Sequence, residues 1–319
     1  MNNPKLSPPQ SASNWPNWLG VLIFLAFIIA VQWLVDWRTV LQDWSQVSWK
    51  ALLPALLFIL VSYAARTWRL IDFFPQPLAQ QPKRAANLSL LDHLFNHLGL
   101  PRHPKTDFPA RMHDTAKIAY LDSQSASLWF RLLDLHTLLC FLIYPVFAIT
   151  PLRRLSFIII ALWLLVPLVI YLLRHRLQTH FVGQDSTFSI LAQKTLTGLP
   201  NRFLAFLKSW GITWLVWGFY LTGLVWFARE LVPNHSFNVL LMALVAGELA
   251  LFIPLILPLR MPLYEAGVIV ALSAFTGWQI ALSTGLNVHF FSLAVALLGG
   301  LIGWLLSTKA QQPTDLTNV

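Results

Sequence analysis

The amino-acid sequence predicts an all-α polytopic membrane protein of about eight transmembrane helices, interrupted by re-entrant or broken helical segments. Composition is the first observation behind this. Of 319 residues, 56% are hydrophobic and 11% charged, whereas a soluble domain carries about 25% charged residues. The second is length, because several apolar runs approach the roughly 20 residues that cross a bilayer core as a helix. The third is a mixed stretch, Phe108 to His136, that carries charges between two hydrophobic spans. A charge at mid-bilayer costs about 2.5–3.5 kcal/mol or more, so a membrane chain that keeps such charges uses them.

Taken in order, residues 1–17 are polar and proline-bearing and predict a disordered tail. A single transmembrane domain is expected over 18–306. Its first span is Trp18–Val35, which has only Lys5 as an upstream basic residue and no small-residue cleavage site after it; it reads as a retained helix rather than a signal peptide. The second apolar run goes from Ala51 to about Ala65 and ends in Arg66-Thr-Trp-Arg69, where arginines and Trp68 complete a short span by snorkelling. Leu88–Leu100 places Leu91, Leu94, Phe95 and Leu98 on one helical face. Too short to cross, it predicts a re-entrant or interfacial segment over about 88–126. Further spans are expected at Leu132–Ile149, Leu155–Leu173, Trp210–Ala228, Phe237–Leu259, Met261–Ile280 and Asn287–Leu306, before a polar tail over 307–319.

Eight crossings make the charge bias countable. The side holding both termini carries seventeen Lys and Arg residues against five on the other. That bias puts both termini in the cytoplasm of a multi-pass protein of the inner (cytoplasmic) membrane. The net charge of +9 is spread through loops rather than gathered in one basic domain. It therefore argues for anionic lipid headgroups and not for nucleic acid. One cysteine, Cys140, in an apolar run excludes a disulfide framework and a cysteine metal cluster.

Candidate functional residues are the charges out of place. Glu248 and Glu265 are two of only three glutamates, and both fall in hydrophobic segments; intramembrane carboxylates are functional candidates by default. Glu265 follows Pro258-Leu-Arg260-Met-Pro262, a pattern of a broken helix lining a cavity. Arg131 and Asp134 stand three apart and predict an ion pair on one helix face. Arg111, His113 and Asp114 precede them. His93 and His97 have a metal-compatible spacing beside Asp92, but without a third ligand they read as the polar face of an interfacial helix. No nucleotide-phosphate loop, GxSxG elbow or HExxH helix occurs; no catalytic residue, metal or cofactor is predicted. Gly299 and Gly303 form a GxxxG in the last span, a packing face within the chain or between copies in a homo-oligomer.

These motifs resemble the transmembrane, flippase-like region of the lysylphosphatidylglycerol synthase family. The basic end of the second helix matches Ser62-Tyr-Ala-Ala-Arg66-Thr-Trp-Arg69. The P-x-R-x-G-E motif matches Pro109-Ala-Arg111-Met-His113-Asp114, with His113-Asp114 in place of Gly-Glu. The E-R-x-x-D motif matches Phe130-Arg131-Leu-Leu-Asp134, with Phe130 in place of Glu, and the Pro-rich break before Glu-Ala matches Pro258 to Ala266. The resemblance covers roughly Trp18 to Leu306 and lacks the aminoacyl-transferase domain. It implies a protein that moves or binds a polar-headed phospholipid or lipid-linked molecule. Arg66, Arg69, Arg111 and Arg131 would meet phosphate, and Asp134, Glu248 and Glu265 would balance or gate them. Two other readings stay open from sequence: a membrane glycosyl- or phosphotransferase acting on a lipid-linked substrate, and a non-catalytic assembly subunit.

Overall fold

The computed structural model describes residues 17–99, 106–149, 153–183, 186–253 and 260–308. Apart from Asn17, Ser307 and Thr308, the two expected tails lie outside these residues, as does the break over 254–259. Every regular element among the described residues is a helix. Five are long and apolar enough to cross a membrane: α3 (Trp49–Phe73), α7 (Tyr120–Ala148), α8 (Arg153–Phe181, apolar from Phe157), α10 (Phe203–Leu231) and α13 (Trp278–Thr308). A sixth candidate is the pair α1 (Asn17–Leu34) and α2 (Trp37–Gln46), bent by 76°. The bend falls at Asp36, whose φ of 68° is left-handed and whose carboxylate caps α2 at the Arg38 amide. Large apolar side chains such as Trp33, Leu162, Leu172, Leu204 and Val270 face outward, as a lipid-facing surface requires.

The sixth and seventh expected spans are shorter than drawn. They form α11 (Phe237–Ala250) and α12 (Leu263–Thr276), 14 residues each, or about 21 Å against a hydrocarbon core of about 30 Å. The two pack antiparallel as a hairpin. A Cβ on Gly267 would lie 2.4 Å from the Ala246 carbonyl oxygen, and one on Gly247 would lie 2.9 Å from the Tyr264 ring. At the open end of the hairpin, His235 Nε2 contacts the Phe275 carbonyl at 3.2 Å. Glycine is needed at 247 and 267 because only it lets the arms approach this closely.

The segment after α3 makes a second hairpin from α5 (Pro82–Leu98) and α6 (Phe108–Ala116), joined to α3 by α4 (Pro75–Leu78). Its course corrects the interfacial expectation. α5 is enclosed between α3 and α13, and the side chains it buries include Asn87, His93 and His97. Leu90 and Leu94 fill the small-residue face of α13: Cβ atoms on Gly299, Gly300 and Gly303 would meet Tyr63, Leu94 and Leu90 at 3.0, 2.3 and 3.1 Å. The GxxxG face is therefore occupied within the chain.

The pairings give a topology that no residue-level repeat announces. α3 and α10 pack antiparallel at the centre, with Ser62 Oγ donating to the Val216 carbonyl and Gly223 against Ala55. Each is followed by a hairpin and a long closing helix, α5/α6 then α7 and α11/α12 then α13. α5 packs on α13 and α11 on α7, so each hairpin seats against the closing helix of the other half. Because α3 and α10 run oppositely, the hairpins enter from opposite ends of the bundle. The two halves are thus arranged inversely about the bundle. α8 and α9 (Thr187–Thr197) flank α7, where a Cβ on Gly198 would lie 2.5 Å from the Ser125 carbonyl oxygen.

Candidate functional site

Where charged groups of the two hairpins come within electrostatic range of one another, the bundle interior turns polar. Asp134 is buried on α7 and faces α3, not its own neighbour Arg131. Arg69 Nη1 lies 2.7 Å from Asp134 Oδ1 and Nη2 lies 3.4 Å from Oδ2. Trp217 Nε1 donates to the same carboxylate at 3.0 Å, and Arg69 also donates to Thr213 Oγ1 at 3.0 Å. The expected Arg131–Asp134 pair is thus corrected: the partner of Asp134 is Arg69. The reason is burial. Asp134 needs a forked donor inside the bundle, which Arg69 supplies, whereas Arg131 is exposed and needs no protein partner. Phe130 lays its ring 4.5 Å from the Arg69 guanidinium.

Next to this pair the site widens. Arg66 lies over the Trp217 ring at 5.1 Å, and its Nε is buried without a hydrogen-bond partner. Tyr220, one turn beyond Trp217, donates to Glu248 Oε1 at 3.1 Å and stands 3.4 Å from His97 Nε2. His97 is followed by His93 at 4.3 Å between ring centroids, and His93 by Tyr63 at 4.6 Å. Tyr63 Oη, His93 Nε2 and Tyr264 Oη are further buried atoms without a partner. The tip of the second hairpin brings Arg260, which donates to the Leu251 carbonyl at 2.9 Å from a backbone φ of 56°. A non-glycine residue there carries a cost of about 1–2 kcal/mol, the kind of strain that collects at functional sites. Arg260 and Arg66 act electrostatically on Glu248, and Arg131 on Arg260.

Charge balance is the main property of this site. Arg66, Arg111, Arg131 and Arg260 have no carboxylate within ion-pair distance among the described residues. Asp92 lies within electrostatic range of Arg111, Arg131 and Arg66, but its hydrogen bond comes from Asn96 at 3.1 Å. Arg111 Nη1 is buried and unpartnered, while Nη2 contacts the Asn87 carbonyl at 3.5 Å. Four arginines around two carboxylates, Asp92 and Glu248, leave a positive excess that an anion fits.

The other expected residues fall elsewhere. Glu265 is fully buried and pairs with His289 Nδ1 at 2.7 Å, fastening α12 to α13 behind the cluster. His113 and Asp114 are exposed on α6, where His113 Nδ1 contacts the Ile118 carbonyl at 3.1 Å. The structure does not bring these two into the cluster. Sequence reasoning missed Tyr63, His93, His97, Tyr220, Arg260 and Tyr264. The His93/His97 spacing is a visible signal; without a third ligand it reads from sequence as the polar face of an interfacial helix, and the groups it meets, Tyr63 and Tyr220, lie on other helices. Among the described residues no three His, Cys, Asp or Glu side chains converge to hold a metal ion. No family model, no curated protein and no solved structure matches this chain.

Proposed function

We propose that the protein is a flippase-like membrane protein that moves a lipid with an anionic, polar headgroup between leaflets. The observation that carries this reading is that two hairpins, from opposite ends of the bundle, bring their polar groups within electrostatic range of one another at a cluster of uncompensated arginines, of which Arg111 is buried and Arg131 exposed. In transporter folds, discontinuous helices hold the polar part of the substrate near the bilayer midplane, and rocking of two inverted halves exposes it to each side in turn. Here Arg66, Arg111, Arg131 and Arg260 would take the phosphate. The Arg69–Asp134 pair would hold α3, α7 and α10 in register beneath it. The acyl chains would stay in the bilayer, beside the apolar outer faces of the helices. The likeness to the flippase-like region of lysylphosphatidylglycerol synthases supports the same reading through Arg66, Arg69, Arg111, Arg131 and Asp134.

Under this reading the eight expected crossings become six, with two hairpins that return to their own sides. The number stays even, so both termini lie on one side. With the five site arginines (66, 69, 111, 131 and 260) and Arg102 and Lys105 of the α5–α6 connection left out of the loop count, ten Lys and Arg remain on that side against five, which favours cytoplasmic termini in the inner membrane.

The test is lipid scrambling in proteoliposomes. Fluorescent phosphatidylglycerol, lysylphosphatidylglycerol, phosphatidylethanolamine and a polyprenyl phosphate are reconstituted and reduced from outside by dithionite. The protein should make the inner-leaflet pool of an anionic lipid reducible, and Arg66→Gln with Arg260→Gln should slow this by about tenfold or more, the scale of one lost charge-assisted hydrogen bond. If none of these lipids is reduced beyond the level of protein-free vesicles, the reading fails.

A further inference from the structure

Glu248 sits where it meets both a hydrogen-bonded line of proton-exchanging groups and the cations of the headgroup site. It is buried on α11, and its Oε1 accepts from Tyr220 Oη at 3.1 Å. Tyr220 Oη in turn stands 3.4 Å from His97 Nε2. Phenol and imidazole both give and accept protons, so the line His97–Tyr220–Glu248 joins α5 of the first hairpin to α11 of the second through α10. The groups facing Glu248 come from every element around it. α3 presents Tyr63 and Arg66, α5 His97 with His93 behind it, α10 Tyr220 and α12 Tyr264. α13 presents His289, which is itself paired to Glu265, and the hairpin tip Arg260. α7 contributes Arg131, which acts on Arg260 through space. Neither Arg66 nor Arg260 touches Glu248; they act on it through space.

We infer that Glu248 is a proton-binding site linked to the anion site, so that an anionic headgroup and one proton bind together. This rests on the headgroup reading above. The physical reason is competition for the same cations. With the site empty, the fields of Arg66 and Arg260 favour the carboxylate form of Glu248, against the burial that favours its acid form. A phosphate drawn onto those guanidinium groups cancels their field at Glu248, and a buried carboxylate without compensating charge takes up a proton. The balance is one proton in, carboxylate to carboxylic acid. The proton comes from solvent and ends on Glu248 Oε1; the His97–Tyr220 line is its route, each group taking up a proton before it passes one on. Linkage is reciprocal: if the anion raises proton affinity, the proton raises anion affinity. The sign follows. Lipid affinity is greatest at low pH and falls as pH rises, by up to about tenfold per pH unit for one linked proton. A lipid flux so linked is driven by a proton gradient.

Calorimetric titration of the detergent-purified protein with dihexanoyl phosphatidylglycerol tests this, run in two buffers of different ionisation enthalpy. The wild type should take up protons on binding, up to one per lipid, and its affinity should weaken with rising pH. Glu248→Gln should still bind the lipid, with proton uptake lost and the pH dependence flattened. Tyr220→Phe should keep the uptake stoichiometry but slow proton-driven flux in vesicles, because it cuts the line and not the site. Wild-type binding with the same heat per lipid in both buffers, after correction for binding enthalpy, would overturn the inference and leave the headgroup reading standing. Undiminished uptake in Glu248→Gln would overturn the assignment of the proton to Glu248. If the wild type binds no anionic lipid, the headgroup reading itself falls and takes this inference with it.

Discussion

At the scale of residues, the interior of this protein is decided by which charges find partners. Asp134 has a forked guanidinium and an indole N–H. Asp134→Ala leaves Arg69 buried with only Thr213 and the Phe130 ring, and should cost about 3–5 kcal/mol of stability. Removing both charges with Asp134→Leu and Arg69→Met should cost less than the sum of the singles, a coupling that a double-mutant cycle of thermal stability in detergent would measure. Arg131→Ala is exposed and unpaired, so its effect should stay within about 0.5 kcal/mol. A loss on Arg131→Ala equal to that on Asp134→Ala would return the ion pair to the neighbours in sequence. The charge pattern Arg131–Asp134 was legible in the chain. The partner was not, because Arg69 lies 65 residues away and only the packing of α3 on α7 and α10 brings it there.

Elements carry the second set of consequences. In a bilayer the hydrophobic effect does not drive helices together, so close packing of small residues must. Gly247 and Gly267 let the arms of the α11/α12 hairpin touch, backbone against backbone. Gly267→Leu should therefore split the hairpin and lower the melting temperature of the purified protein by many degrees. A Gly211→Ala control, where an added Cβ meets nothing within 4 Å, should leave it unchanged. Equal melting curves for the two would mean that the hairpin does not depend on this contact. Gly299, Gly300 and Gly303 were legible as a packing face, but not as a face for α5. A small-residue stripe names one side of an interface only, and the side chains that fill it, Leu90 and Leu94, look like any other leucines.

For the whole molecule, the hairpin architecture makes a statement about sidedness. Cysteines placed at Lys83 and Lys117, at the two ends of the first hairpin, should react with an impermeant maleimide from one face of the membrane. Cysteines at Asn234 and Thr276, at the ends of the second, should react from the other face. Labelling of Lys83 and Lys117 from opposite faces would turn the first hairpin into a crossing and break the inverted arrangement of halves.

What the sequence determined by itself is the class. A chain with 56% hydrophobic residues and runs near 20 residues long must satisfy its backbone as helices in a bilayer, and the long spans α3, α7, α8, α10 and α13 follow from apolar length alone. Isolated charges in apolar runs also marked Glu248 and Glu265, and charges at the mouth of a span Arg131 and Asp134, as candidate site residues. The tertiary structure decided everything that depends on pairing between distant segments. It made α11 and α12 a hairpin of two short arms and turned the histidines of α5 inward. It also gathered Tyr63, Tyr220 and Arg260 around Glu248. Hydropathy is a property of one helix against its solvent, whereas a polar site inside a bundle is a property of several helices against one another.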